Sequence, residues 1–158
     1  MYDANLAIQE FKQGLEFLRN SYPAKAIPHL RRAVELNREN PYFLSYLGLA
    51  VVRASQKYAE AEFLCESALD LKRDDERLYL NLAEVYSEAS RREDAIDTLK
   101  VGMERVGNDS LLLRAMGRLQ RRRTPIFPFL SRSHFLNRSL GRLRHIVLDF
   151  CLQHWQPA

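Results

Sequence analysis

Side chains that could ligate a metal or attack a substrate are few in this sequence, and their spacing favours structural roles. His145 and Asp149 stand four residues apart, a spacing at which two side chains on one helical face form an ion pair. A metal site needs further ligands, and none stands at ligand spacing. His29 lies among arginines, which favours a solvent-facing structural histidine, and the glycines form no phosphate-binding loop. The sequence therefore predicts no catalytic residue, no metal site and no cofactor.

The two cysteines and the N-terminus indicate the cellular compartment. Cys65 and Cys151 lie in apolar stretches with no partner at metal or redox spacing, so each is predicted to be a buried free thiol. The N-terminus lacks the basic start and apolar run of a signal peptide. No stretch reaches the roughly 18 apolar residues of a transmembrane helix. These features predict a cytoplasmic protein.

Charge is distributed unevenly along the chain of 158 residues, whose 46% apolar and 28% charged residues are typical of a soluble globular protein. Residues 1–109 contain 15 lysines and arginines against 19 acidic residues, a net charge of −4. Residues 110–158 contain nine arginines, no lysine and a single acid, Asp149, a net charge of +8. The two parts are therefore expected to face different surroundings or each other. Within the first part, the acidic run at 74–76 is predicted to be a solvated turn before a helix N-terminus, where negative charge is favoured.

The elements that would position any functional surface repeat along the chain. Ala26, Ala61 and Ala95 are spaced by 35 and 34 residues. The pairs at 47–48 and 82–83 are also spaced by 35 residues. A period of about 34 residues with small side chains at fixed offsets is typical of a repeated helix–turn–helix unit.

Apolar residues within each period recur at steps of three and four, which is typical of amphipathic helices rather than strands. In the third period this spacing runs over 78–86 and again over 95–103, with a turn at 89–92 between them. Small residues where the two helices cross would allow a close approach. Because one hairpin cannot bury its apolar face alone, neighbouring hairpins must stack.

These residues resemble the tetratricopeptide-repeat family over about residues 7–123. The family's pattern appears in the second repeat as Leu47-Gly48, Ala61 and Ala68, and in the third as Leu82-Ala83, Tyr86, Ala95 and Gly102. The resemblance implies an all-α, right-handed superhelical solenoid of three helix-hairpin repeats and a half repeat. The repeats are expected at about 7–40, 41–75 and 76–109, with the half repeat at 110–123.

The first helix of each repeat lines the groove that is the usual working surface of this family. The resemblance therefore implies a partner-binding groove that changes along the chain from apolar and aromatic to mixed polar and then to arginine. Its expected residues are Phe11, Leu15, Leu18, Tyr42, Tyr46, Leu49, Arg53, Arg77, Asn81, Glu84, Arg114 and Arg118. Exposed apolar surface of this kind usually marks a binding site, although the protein's own termini could cover it.

One specialised use of the family groove does not fit this sequence. Chaperone-binding members grip a C-terminal carboxylate with Lys, Asn and Arg side chains from three successive first helices. The corresponding places here hold Phe11, Leu15, Tyr46, Arg77 and Asn81. Since Arg77 alone suits that task, the resemblance does not imply a carboxylate clamp.

The C-terminal part departs from the repeat. Residues 124–132 contain two prolines and are predicted to be an extended linker. Residues 133–153 are predicted to form a basic amphipathic helix, whose apolar stripe consists of Leu136, Leu140, Leu143, Val147 and Phe150. Several interpretations stay open: this helix caps the solenoid, fills the groove, lies on an anionic membrane surface, or docks on a partner.

The main functional hypothesis is a non-catalytic cytoplasmic adaptor that binds a peptide or helix of a partner protein in the groove. The alternative is a peripheral membrane protein anchored by its arginine-rich C-terminal helix. The arginines could neutralise phosphates, but no nucleic-acid-binding motif accompanies them, so no nucleic acid is expected. The oligomeric state stays open.

Overall fold

The computed structural model describes residues 2–107 and 109–120, which form seven α-helices and no strand. The helices are α1 (Tyr2–Arg19), α2 (Pro23–Leu36), α3 (Pro41–Ser55), α4 (Tyr58–Leu71), α5 (Glu76–Glu88), α6 (Arg92–Val106) and α7 (Ser110–Gln120). The end of the predicted half repeat at 121–123, the predicted linker at 124–132 and the predicted helix at 133–153 lie outside the described residues. The predictions for His145, Asp149 and Cys151 also lie outside them.

Consecutive helices pack against each other along the whole order from α1 to α7. The pairs α1–α2, α3–α4 and α5–α6 form three hairpins, and α7 stands in the place of a fourth first helix. The odd-numbered helices also contact one another in sequence, so they form one row of the stack. This arrangement confirms the predicted all-α solenoid of stacked hairpins.

Each odd-numbered helix after α1 begins at an Asn or Asp side chain that caps it. The Oδ1 atoms of Asn40, Asp75 and Asp109 accept hydrogen bonds from the backbone N–H two residues later, at 3.0, 3.1 and 2.7 Å. Such caps satisfy amides that have no partner within the helix. The caps stand 35 and 34 residues apart, so the repeat extends to the helix starts.

The turn inside each hairpin also repeats. Ser21, Gln56 and Ser90 follow α1, α3 and α5 with positive φ angles of 61°, 53° and 60°. A left-handed residue after a helix reverses the chain and allows the last carbonyls to be paired. Residues other than glycine seldom adopt a positive φ. A positive φ nevertheless recurs at the same place in all three hairpins, so the turn of the repeated unit requires it.

Small residues bring the two helices of a hairpin together, as the sequence predicts. Ala26, Ala61 and Ala95 are all fully buried. A Cβ atom on Gly48 would lie 2.8 Å from the carbonyl oxygen of Ala61 and 2.8 Å from the Sγ of Cys65. No side chain larger than hydrogen fits there unless α3 and α4 move apart.

One apolar core runs along the stack, from Leu18 in α1 to Met116 in α7. Leu30 and Leu99 are among its fully buried side chains. Cys65 lies in this core as a free thiol, which confirms the prediction for that residue. Burial raises the pKa of the Cys65 thiol to about 12, which disfavours the thiolate form.

Candidate functional site

A depression of about 560 Å³ opens between α3, α5 and α7. Four of the predicted groove residues line it together, namely Arg53 from α3, Asn81 and Glu84 from α5, and Arg118 from α7. The remaining lining residues are Leu80, Ala83, Ser87, Leu99, Ala115 and Leu119. This surface is termed the α3–α5–α7 groove.

An ion pair crosses one side of the α3–α5–α7 groove. The Nε of Arg53 donates a hydrogen bond to the Oε1 of Glu84 at 3.1 Å, and Nη2 pairs with the same oxygen. The two side chains are 35% and 39% exposed, so the pair contributes about 1 kcal/mol or less to stability. Its main consequence is electrostatic, because Arg53 and Glu84 neutralise each other at the groove surface.

A buried polar pair holds the floor of the groove. The Nδ2 of Asn81 donates to the Oγ of Ser45 at 2.9 Å. Ser45 is fully buried, and Asn81 is 7% exposed. Among the described residues no buried side-chain nitrogen or oxygen lacks a partner. The hydrogen bond to Ser45 therefore fixes the side chain of Asn81 at the floor of the groove.

The α7 wall is held by a contact from α6. The Nε and Nη2 of Arg92 donate to the carbonyl oxygen of Leu119 at 2.9 and 2.6 Å, in the last turn of α7. A cation is favoured there by the unpaired carbonyls and the helix dipole. Leu112, two turns before Leu119 on the same side of α7, is fully buried in the core. Arg118 thus projects from a helix that is held both by its core packing and by Arg92.

Several residues that line the groove were not among the predicted groove residues. The sequence contains a pattern that could have identified some of them, such as Ala115, but not others, such as Leu99. Ala115 stands three residues before Arg118 and four before Leu119, so helical spacing places all three on neighbouring positions of α7. Leu99 belongs to α6, the second helix of its hairpin, and reaches the groove because α6 packs behind α5 and α7. No local pattern marks that residue as a lining residue.

Two of the predicted groove residues, Phe11 of α1 and Tyr46 of α3, form an aromatic cluster with Phe43, which is not among the predicted residues. The ring of Phe11 lies 4.7 Å from that of Phe43 and 5.5 Å from that of Tyr46, measured between centroids. Phe11, Tyr46 and Leu15 are each half-buried. The cluster joins α1 to α3 and does not line the α3–α5–α7 groove.

Two predicted groove residues are core residues, which corrects the prediction. Leu18 is 7% exposed and Leu49 is 4% exposed. Residues at three- and four-residue steps spread over a wide arc of the helix surface. Only part of this arc faces the groove, so the residues at the edges of the arc pack against neighbouring helices. Arg77 and Arg114 are exposed, but neither lines the α3–α5–α7 groove.

Tyr42 takes part in a joint between the second and third hairpins. Its hydroxyl donates to Asp75, and the Nζ of Lys72 donates to the hydroxyl of Tyr42 and to the Oδ2 of Asp75, both at 3.0 Å. Asp75 is 9% exposed, so the prediction of a fully solvated turn at 74–76 is wrong for this residue.

The same joint shifts the ionisation of both charged groups. Burial acts to raise the pKa of Asp75, but the hydrogen bonds from Tyr42, Lys72 and the Arg77 amide together hold it below its ordinary value. The hydrogen bond to Tyr42, and then that to Asp75, raise the pKa of Lys72. Both groups are therefore charged at neutral pH.

His29 differs from the expected solvent-facing histidine. Its Nδ1 lies 2.7 Å from the Oε2 of Glu10, and its ring stacks on Phe17 at a centroid distance of 5.4 Å. The side chain is 31% exposed and joins α2 to α1. Within residues 2–107 and 109–120, no group of three or more His, Cys, Asp or Glu side chains is placed to hold a metal ion. No helix in that same part of the chain has the length and apolar character needed to cross a membrane.

Comparison with known proteins finds a family model that matches part of the chain and solved structures that share its fold. Residues 52–119 match the sequence model of a family described as tetratricopeptide repeat. No curated protein matches the chain. Solved structures of TPR domains match over about three quarters of its length.

The second TPR domain of human RPAP3, in complex with the HSP70 peptide SGPTIEEVD, is 17% identical with a TM-score of 0.63, over 76% of this chain and 99% of that chain. The yeast Sti1 TPR2B domain in complex with pHsp70 is 19% identical with a TM-score of 0.63, and the match covers 78% of this chain and 100% of that chain. The Arabidopsis OM64 TPR domain is 16% identical with a TM-score of 0.64, and the match covers 75% of this chain and 97% of that chain. At these identities the likeness concerns the fold.

Proposed function

We propose that this chain, which belongs to the tetratricopeptide-repeat family, is a non-catalytic cytoplasmic scaffold that binds a peptide or helix of a partner protein. The observation that carries the proposal is the α3–α5–α7 groove itself. Three successive first helices combine there to form a concave surface with apolar walls, Leu80 and Leu119, and with the polar groups of Asn81 and Arg118. Concave sites that are mostly apolar and hold a few fixed polar groups are typical of ligand recognition.

The comparison structures support a peptide as the class of partner, because the human RPAP3 and yeast Sti1 domains are described in complex with HSP70 peptides. We propose a different mode of capture for this chain. By resemblance, two of the places whose polar side chains would hold a C-terminal carboxylate are here Phe11 and Tyr46, whose rings contact each other. The partner is therefore expected to bind through an internal segment, toward the α7 end of the row.

A bulky substitution inside the groove tests this proposal. Ser87 lines the groove and is exposed, and its Oγ donates only along its own helix, to the carbonyl of Ala83 at 2.8 Å. Ser87→Trp should therefore fill the groove without removing a contact between helices. Peptides selected from a displayed library on the full chain, then measured by fluorescence polarisation, should bind this variant at least about tenfold more weakly.

Ser67→Trp is the matched control. Ser67 makes the same type of bond on α4, from Oγ to the carbonyl of Phe63 at 2.8 Å, and it does not line the groove. We expect this variant to bind the selected peptides like the parent, with both variants retaining the parent's helical circular dichroism. Equal binding by Ser87→Trp and the parent would place the site elsewhere on the molecule.

A further inference from the structure

We infer that the partner segment carries an internal aspartate or glutamate whose carboxylate binds Arg118 in the α3–α5–α7 groove. The inference rests on the proposed function and specifies the chemistry of the partner. It concerns a side-chain carboxylate within a segment, not the carboxylate at the end of a chain.

The charges that line the groove carry the first step. Arg53 and Glu84 neutralise each other across α3 and α5. Arg118 has no carboxylate partner among residues 2–107 and 109–120. No acid lies on α7 itself, and Arg114, one turn earlier, carries the same sign. Among the described residues, Arg118 is therefore the one guanidinium lining the groove that no carboxylate pairs with, and its fork of N–H donors matches a carboxylate.

The position of Arg118 carries the second step. Arg92 holds the last turn of α7 through the carbonyl oxygen of Leu119. Leu112 and Ala115 of the same helix are buried, at 0% and 7% exposure, and pack α7 onto the core. Because the backbone that carries Arg118 is fixed before binding, little ordering of the wall is needed when a ligand arrives.

Asn81 adds a second, neutral contact. Its amide nitrogen donates to the buried Ser45, and the residue lines the groove. A side-chain amide oxygen is an acceptor, so a backbone N–H near the acidic residue of the partner is a group that Asn81 could pair with. Leu80 and Leu119 offer apolar surface to the neighbouring side chains of the same segment. The site is thus suited to an acidic residue flanked by apolar residues.

The occupant is argued from charge complementarity to Arg118. The chain's own residues 121–158 contain seven arginines and one acid, a net charge of +6, so Asp149 is the one acidic side chain that they offer to this guanidinium. A partner segment with an acidic residue at the bound position supplies the opposite charge without bringing further arginines to the groove. The inference therefore commits to a partner protein.

The test is a selection of short peptides displayed between two flanking protein segments, so that no free C-terminal carboxylate is present. The full chain and its variants Arg118→Glu and Arg38→Glu are used in parallel. Arg38→Glu is the matched control because it makes the same charge change at an exposed position outside the groove lining and away from α7. We expect the full chain and Arg38→Glu to enrich peptides with Asp or Glu at one fixed position.

Arg118→Glu is expected to enrich Lys or Arg at that position instead. A blocked synthetic peptide of the enriched sequence should bind Arg118→Glu at least about tenfold more weakly than the parent. Replacing its glutamate with glutamine should weaken its binding to the parent and leave its binding to Arg118→Glu no weaker, which shows coupling between the two groups. High salt should weaken the parent complex more than the glutamine complex.

Three results would contradict these statements in distinguishable ways. Peptides that lose binding in Ser87→Trp but show no acidic preference would overturn this inference and leave the proposed function intact. Binding that changes in neither Ser87→Trp nor Arg118→Glu would overturn the proposed function as well. Displacement of the acidic peptide by a synthetic peptide of residues 133–153 would identify the chain's own segment as the occupant and would overturn the commitment to a partner.

Discussion

The Nδ2 of Asn81 donates a 2.9 Å hydrogen bond to the Oγ of Ser45, and this bond joins α5 to α3 inside the stack. Both side chains are buried, at 7% and 0% exposure. Buried polar groups are unfavourable unless they are paired. The bond therefore favours the one register of α3 against α5 in which the two groups meet, and it fixes the side chain at the groove floor.

Removing the hydroxyl of Ser45 should destabilise the fold. Ser45→Ala leaves the amide of Asn81 without its buried acceptor, which costs about 1–3 kcal/mol in the free energy of unfolding. Urea denaturation measures the change. Ser67→Ala removes an exposed hydrogen bond within α4, from the Oγ of Ser67 to the carbonyl oxygen of Phe63. This control should change the free energy of unfolding by less than about 0.5 kcal/mol. Equal effects of the two substitutions would show that the Ser45–Asn81 bond does not stabilise the packing of α3 on α5.

A methyl group at Gly48 should destabilise the second hairpin. The added Cβ would lie 2.8 Å from the Ala61 carbonyl, so Gly48→Ala should lower the free energy of unfolding by about 1–3 kcal/mol through overpacking. Ala61→Leu and Ala95→Leu should destabilise by a similar amount at these fully buried positions.

Gly117→Ala is the matched control for the Gly48 prediction. Its added Cβ would meet none of the described residues within 4 Å, so the higher helix propensity of alanine should dominate. We expect this variant to be as stable as the parent or up to about 1 kcal/mol more stable. An increase in the free energy of unfolding in Gly48→Ala would contradict this prediction, because it would mean that α3 and α4 can move apart without destabilising the hairpin.

The joint of Tyr42, Lys72 and Asp75 predicts an acid-sensitive component of stability. The folded-state pKa of Asp75 is held below the ordinary value of 3.8, so its stabilising contribution is complete above that pH. This contribution is lost as pH falls through the folded-state pKa. Asp75→Asn should therefore be less stable than the parent at neutral pH, and the difference should shrink below about pH 4.

Asp109→Asn is the control for the acid prediction. Both substitutions keep a side chain that can cap a helix, of α5 and α7 respectively. Among the described residues Asp109 forms no ion pair with Lys or Arg, unlike Asp75 with Lys72. Thermal unfolding followed from pH 7 to pH 2 compares them. If the difference between Asp75→Asn and the parent stays constant over this range, the charge of Asp75 does not stabilise the joint.

The proposal that residues 133–153 cap the solenoid predicts a loss of stability on truncation. Leu111 and Leu113 on α7 are 43% and 50% exposed, and the stripe of the predicted helix also needs a cover. Each large apolar side chain that stays in water forgoes about 1.5–3 kcal/mol. Deleting residues 124–158 should then lower the melting temperature and promote aggregation. An unchanged melting temperature would contradict the cap and favour a binding role for this segment.

The sequence by itself determined the repeat and the helices. The spacing of Ala26, Ala61 and Ala95 and the three- and four-residue steps of apolar side chains are local properties, and each can be read without knowing the partner helix. The caps at Asn40, Asp75 and Asp109 follow the same period and could have been read from it as well. The sequence therefore determines the helical secondary structure, the length of the repeat and the positions at which helices approach closely.

Only the tertiary structure decided which residues form the groove. Whether Leu49 faces the core or a partner depends on how α3 lies against its neighbours, and a small rotation of the helix exchanges the two. The bond from Asn81 to Ser45 spans 36 residues, and that from Arg92 to Leu119 spans 27. Such contacts depend on the angles and distances between packed helices. The spacing of residues in a sequence gives the period of a helix but not those angles. The Asn81–Ser45 bond, and the bond from Arg92 to the helix that carries Arg118, are therefore visible only in the tertiary structure.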